Sequence, residues 1–169
     1  MTTWTNPDGL QVPFGQDQAR ETGAIAGKIA MDGPVSYLIM DVSFDDFPDY
    51  TADLNNDGSN NGFSDSDAYI PAGSYITKAT LIVETAFADG TTYDIGLYTQ
   101  AGVAIDADGI DDGLATAAIA ANMAVECDGL LVGTLDLVES NAYLVMIEAS
   151  GTFTAGKAKL VIEYLQVAP

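Results

Sequence analysis

The sharpest chemical spacing in the chain is Asp53-x-Asn55-x-Asp57-Gly58. It is the first half of a calcium loop, D-x-[DN]-x-[DN]-G. Hard oxygens at alternate positions converge on one cation, and glycine at the sixth position permits the tight turn. The second half departs from that pattern. Ser64 stands where a bidentate Glu belongs, Asp65 falls one residue late, Asn60 replaces the usual aliphatic residue, and no helical pattern flanks the loop. Calcium held by Asp53, Asn55 and Asp57 is the one cofactor expectation, and a solvated acidic loop is the competing one. A second run, Asp106, Asp108, Asp111 and Asp112, reads as a turn followed by a helix cap, with calcium as the alternative.

The residue inventory argues against catalysis. There is no histidine, which removes the commonest general base, the commonest zinc ligand and most nucleophilic triads. Cys127 is the only cysteine, so no intrachain disulfide forms, and such a residue is most often a small buried hydrophobe. No phosphate-binding or dinucleotide glycine fingerprint is present. A carboxylate pair of the glycosidase kind is the enzymatic alternative, but acids are so numerous that no pair stands out. The expectation is a protein that is not an enzyme.

The formal charge is −20 over 169 residues, with Arg20, Lys28, Lys78, Lys157 and Lys159 the only bases. Phosphate backbones and anionic membrane surfaces repel such a chain, so neither nucleic acid nor membrane is an expected partner. Basic protein surfaces, divalent cations and neutral apolar surfaces remain. Copies of the chain repel one another beyond contact over about 8 Å at physiological salt. The N-terminus lacks the basic-then-apolar pattern of a signal peptide. Apolar stretches such as Ala142 to Ile147 are too short to span a bilayer.

The elements that must position these residues are mostly strands. Tyr69 to Tyr98 is the most legible stretch. A turn at Ile70-Pro71-Ala72-Gly73 leads into alternation, with Tyr75, Thr77, Ala79, Leu81, Val83, Thr85 and Phe87 predicted inward. Ile76, Lys78, Thr80, Ile82 and Glu84 are predicted outward, and the two isoleucines suggest that this outer face meets a sheet or a partner. Asp89-Gly90 reverses the chain into Tyr93, Ile95 and Leu97. Further strands are expected at Val35 to Phe44, from Val103 to Ile105, at Leu130 to Val132, at Tyr143 to Ile147 and at Ala158 to Leu165. The alanine-rich segment Leu114 to Ala124 is the one convincing helix.

Residues 1–34 read as an extended N-terminal arm and connector, with a short helix around Gln18 to Ala24 as the alternative for part of it. Residues 35–169 read as a β-sandwich, jelly-roll-like, with one short helix and a long acidic loop at 45–67. In the arm, Asp8-Gly9 reads as a turn, and Leu10, Val12 and Phe14 alternate as a short strand whose Pro13 demands an edge. Trp4, Leu10, Val12 and Phe14 either fold back on the core or anchor on a neighbouring subunit.

Two features resemble a family of small virion structural proteins of tailed bacteriophages, the head decoration or capsid-associated proteins. One is the opening Trp4-x-Asn6-x-Asp8-Gly9-Leu10-x-Val12-x-Phe14-Gly15. The other is Ile70-Pro71-Ala72-Gly73 with its strand, the ETAFADGTT turn, the AIDADGID segment and the ending FTAGKAKLVIEYL. The resemblance implies a cement protein, made in the host cytoplasm, that sits on the outer capsid surface of the virion and stabilises the shell. Its implied partners are the major capsid protein, held through the arm, and other copies of itself in a trimer or dimer. A tail, fibre or surface-attachment module using calcium is the alternative.

Overall fold

Alternate burial along three long strands sets the architecture. The computed structural model describes residues 2–5, 11–14, 27–32, 35–44, 63, 67–115, 120–134, 136–150 and 153–167. In it, β4 (Val35–Ser43) and β11 (Ala155–Gln166) bury every second residue. Their register pairs Leu38 with Ile162, Met40 with Leu160 and Val42 with Ala158. On the other side of β11, β6 (Ser74–Ala88) places Ala79, Leu81 and Val83 in the same three rows. All nine side chains are buried, and each large aliphatic among them contributes about 1.5–3 kcal/mol relative to exposure. The sheet is completed by β3 (Gly27–Asp32) beyond β4 and β9 (Ala124–Glu126) beyond β6.

A four-stranded sheet closes over this core in the order β5-β10-β7-β8. Its members are β5 (Tyr69–Ile70), β7 (Thr92–Tyr98), β8 (Ala104–Leu114) and β10 (Ala142–Ser150). Ile95, Leu97, Leu144 and Ile110 supply fully buried side chains from its inner face. Pairing across the eight strands from β4 to β11 is nested: β4 with β11, β5 with β10, β6 with β9, and β7 with β8. Ladders between β6 and β11 and between β7 and β10 complete the two sheets. Four nested antiparallel pairs folded into two facing sheets are a jelly roll, the sandwich expected from the many short strands and turns.

Three local expectations are corrected. Ile76 lies inward, 1 % exposed, and Tyr75 and Thr77 do not. The register slips between the Glu163–Lys78 and Tyr164–Ile76 pairs. A bulge there shifts the alternation by one residue and reverses which face each residue takes. A second slip near Lys157 leaves Thr85 exposed while Phe87 is buried. Ile82 stays outward, as read.

The expected helix at Leu114 to Ala124 is absent among the described residues. Leu114 ends β8 opposite Tyr93, Ala121 and Asn122 form a turn, and Ala124 begins β9; residues 116–119 lie outside the described set. Alanine's helix preference is a weak prior that sheet pairing overrides. The expected strand at Leu130 to Val132 is a turn with one isolated parallel bridge from Val132 to Ile76. The chain there is held by single hydrogen bonds to two different strands, Leu131 N–H to Gly109 O and Gly133 N–H to Ile76 O, so no continuous ladder forms.

Candidate functional site

The arm begins as a hairpin. β1 (Thr2–Thr5) and β2 (Gln11–Phe14) form their own two-stranded antiparallel sheet, hydrogen-bonded to neither sheet of the jelly roll. The register sets Trp4 opposite Val12 and Thr2 opposite Phe14, with Pro13 opposite Thr3. A two-stranded ribbon has only edges, which is where a proline is tolerated. Three of the four arm residues singled out in the sequence, Trp4, Val12 and Phe14, therefore occupy neighbouring cross-strand positions. Leu10 lies outside the described residues, as do Gln18 to Ala24 and the calcium candidates Asp53, Asn55 and Asp57.

The far end of the long acidic loop is fastened by Phe63. Its ring stacks on Tyr143 with centroids 4.7 Å apart, and its N–H donates to Gln100 O at 2.8 Å. Tyr69 tilts against the same Tyr143 ring, and Tyr98 and Val145 complete a small buried cluster. This cluster lies on the outward side of β10, because Ala142, Leu144 and Met146 belong to the main core and Tyr143 and Val145 alternate with them. Phe63 thus lies against the outside of the four-stranded sheet.

The second acidic run is part of β8, not a helix cap. Between the Leu97–Asp106 and Ile95–Asp111 pairs, β8 advances five residues while β7 advances two. The excess forms a wide bulge over Gly96. A Cβ there would sit 2.2 Å from Ala107 O, so only glycine admits the crossing chain. Gly129 is confined in the same way, 2.3 Å from the Ile110 carbonyl carbon, and its N–H donates to Ile110 O at 2.9 Å. Bulges of this kind re-aim side chains, and here the bulge turns Asp111 inward.

Asp111 is 3 % exposed, the one described carboxylate in the buried class. Burial pushes its carboxyl up to about 6. The Asp128 N–H donating to Oδ2 at 3.4 Å and the Cys127 thiol pull the other way, while the charges of Asp128 and Asp112 add to the rise. Cys127 is buried beside it, its thiol pushed up to about 12, first by desolvation and then by the Asp111 charge. A thiol held protonated is a poor nucleophile. Near the bulge's start, burial and then the hydrogen bond with Asp108 raise Asp106 above the usual carboxylate range. Among the described residues no three acids or thiols converge as a metal set. The buried acid was invisible in the sequence because its position depends on the bulge; Gly96 and Gly109, which permit the bulge, were the only signals.

No protein-family model matches the chain, and no curated protein matches it. Solved structures similar to it include a chain of the capsid asymmetric unit of cyanophage Pam1. That match has a TM-score of 0.44 and 16% identity, covering 90% of this chain and 96% of that one. A chain in the capsid of Ralstonia phage GP4 matches with a TM-score of 0.44 and 16% identity, covering 78% of this chain and 86% of that one. The fold assignment rests on the strand pairing described above and not on these likenesses.

Proposed function

We propose that this chain is a structural protein of a tailed-phage virion, a decoration or cement protein bound to the outside of the capsid. The observation that carries this reading is the N-terminal hairpin, which approaches the edge strand β3 but pairs with neither sheet of the jelly roll. A two-stranded hairpin alone is marginal in water, and one that meets the jelly roll only beside β3 gains from a further surface to complete it. Trp4, Val12 and Phe14 at adjacent register positions are anchors suited to a seam between capsid subunits. The opening motif that contains them is also where the chain resembles capsid-associated proteins.

Charge supports the same placement. A chain of −20 is disfavoured beside packaged DNA and tolerated on the outer shell. Apolar contacts through the arm contribute about 25 cal/mol per Å² before association costs, and many copies on one lattice multiply weak contacts through avidity. The jelly roll then stands outward and has no catalytic part to play. Co-sedimentation with phage heads assembled without this protein tests the proposal. Stoichiometric, saturable binding is expected, and absence of binding with or without calcium refutes it.

A further inference from the structure

The outward face of the five-stranded sheet is nearly charge-balanced in a chain of −20. Lys78, Lys157 and Lys159 lie on this face, alternating with the buried residues of β6 and β11. Lys28 lies in the same sheet, opposite Ile39. Every base among the described residues is therefore in this one sheet. Four acids of β4, β6, β9 and β11 share the face, and Asp32 of β3 lies opposite Val35 as Lys28 lies opposite Ile39. Asp41 pairs with Lys159 and Glu126 with Lys78, Glu84 lies near Lys159, and Glu163 lies near Lys78. Three lysines against four carboxylates leave almost all of the net negative charge elsewhere.

Apolar residues run between these ion pairs. The register sets Ile39 beside Val161, and Val35 beside Leu165. Ile82 sits between Lys159 and Ala124, 39 % exposed. The face is a mixed-sign surface with an aliphatic strip through it.

We propose that this face is where copies of the chain bind each other, a second copy presenting the same face about a two-fold axis. A two-fold contact must be self-complementary. A face carrying both lysines and acids around aliphatic residues can meet that condition, since a rotation that sets lysines of one copy against acids of the other is open to it. The β8 edge does not, because Asp106, Asp108 and Asp112 would meet their own copies. A strongly basic or strongly acidic partner fits less well, because it would oppose half of the ion pairs. The aliphatic strip supplies the affinity, since exposed ion pairs contribute little, and the charges set orientation. The inference does not depend on the capsid reading.

The test is sedimentation equilibrium of the full chain over a range of concentrations, from about 0.02 M to about 0.5 M salt, where screening removes the residual repulsion. The expected result is a reversible dimer that tightens as salt rises. Ile82→Lys, at an exposed position, is expected to weaken it by at least about tenfold, with its thermal melt confirming the fold. Lys159→Glu should weaken it through charge alone. Val103→Lys, 62 % exposed outside this sheet, should leave it unchanged. A wild-type chain monomeric throughout overturns the proposal. So does a dimer that Ile82→Lys and Lys159→Glu leave intact, or one that Val103→Lys weakens equally.

Discussion

Replacing Asp111 with asparagine should stabilise the protein, and the gain should grow with pH. Asp111 is 3 % exposed and its carboxyl titrates at about 6, against an ordinary value of 3.8. A carboxyl raised on folding binds its proton more tightly in the native state. Its contribution is therefore fully present below pH 3.8 and lost as pH rises through 6. The rise from 3.8 to about 6 corresponds to about 3 kcal/mol between those limits. Roughly half of it, about 1.4 kcal/mol, falls between pH 5 and pH 8 by the same linkage, a range that stays above the isoelectric point near 4.1. The substituted amide carries no charge and keeps an oxygen for the Asp128 N–H, so the variant's stability should lack this component. The assay is urea unfolding of both proteins across that range in moderate salt. All other acids are common to both and cancel in the difference. Asp111→Asn should gain about 1.4 kcal/mol on the wild type between pH 5 and pH 8. A difference that does not change with pH would mean that Asp111 is not held in a desolvated site, and would refute the reasoning.

Three further outcomes follow from the geometry. Ile76→Ala should cost about 2–4 kcal/mol and Ile82→Ala less than about 1 kcal/mol, because the bulge in β6 buries the first at 1 % and leaves the second at 39 %; chemical denaturation of the pair checks this, and equal costs would mean the alternation runs unbroken. Gly96→Ala should destabilise by about 2 kcal/mol or more, because the new methyl meets the Ala107 backbone; a neutral melting temperature would show that the β8 bulge is free to move. If Asp53, Asn55 and Asp57 hold calcium, millimolar calcium should raise the melting temperature and Asp57→Ala should abolish the rise, whereas no shift in the wild type would leave the segment as a solvated acidic loop.

Part of the jelly roll was legible in the residue order because β11 and the middle of β6 alternate between apolar and polar residues as they alternate between core and surface. Leu81, Leu160 and Ile162 fall in apolar parities that are readable in the sequence, whereas β4, with bulky Tyr37 and Ile39 between Leu38 and Met40, reads as a strand covered on both faces. What parity cannot show is an inserted residue. Ile76 and Thr77 exchanged faces at one bulge, and at another the acids around Gly109 became part of a strand rather than a cap. The alanines after Leu114 misled for a related reason, since local preference there competes with a pairing to Tyr93 that is set across the sheet. The buried carboxylate of Asp111 depends on all of these non-local contacts. The nested strand pairing follows likewise from contacts between distant segments, although the strands themselves were visible singly.

The most direct test of the central claim removes the hairpin. A chain lacking residues 1–15 should retain its β circular dichroism and cooperative melt, because β1 and β2 belong to neither sheet of the jelly roll. Co-sedimented with phage heads that lack the protein, it should remain in the supernatant while the full chain saturates the particles. A truncated chain that still saturates the heads would contradict the assignment of capsid binding to Trp4, Val12 and Phe14.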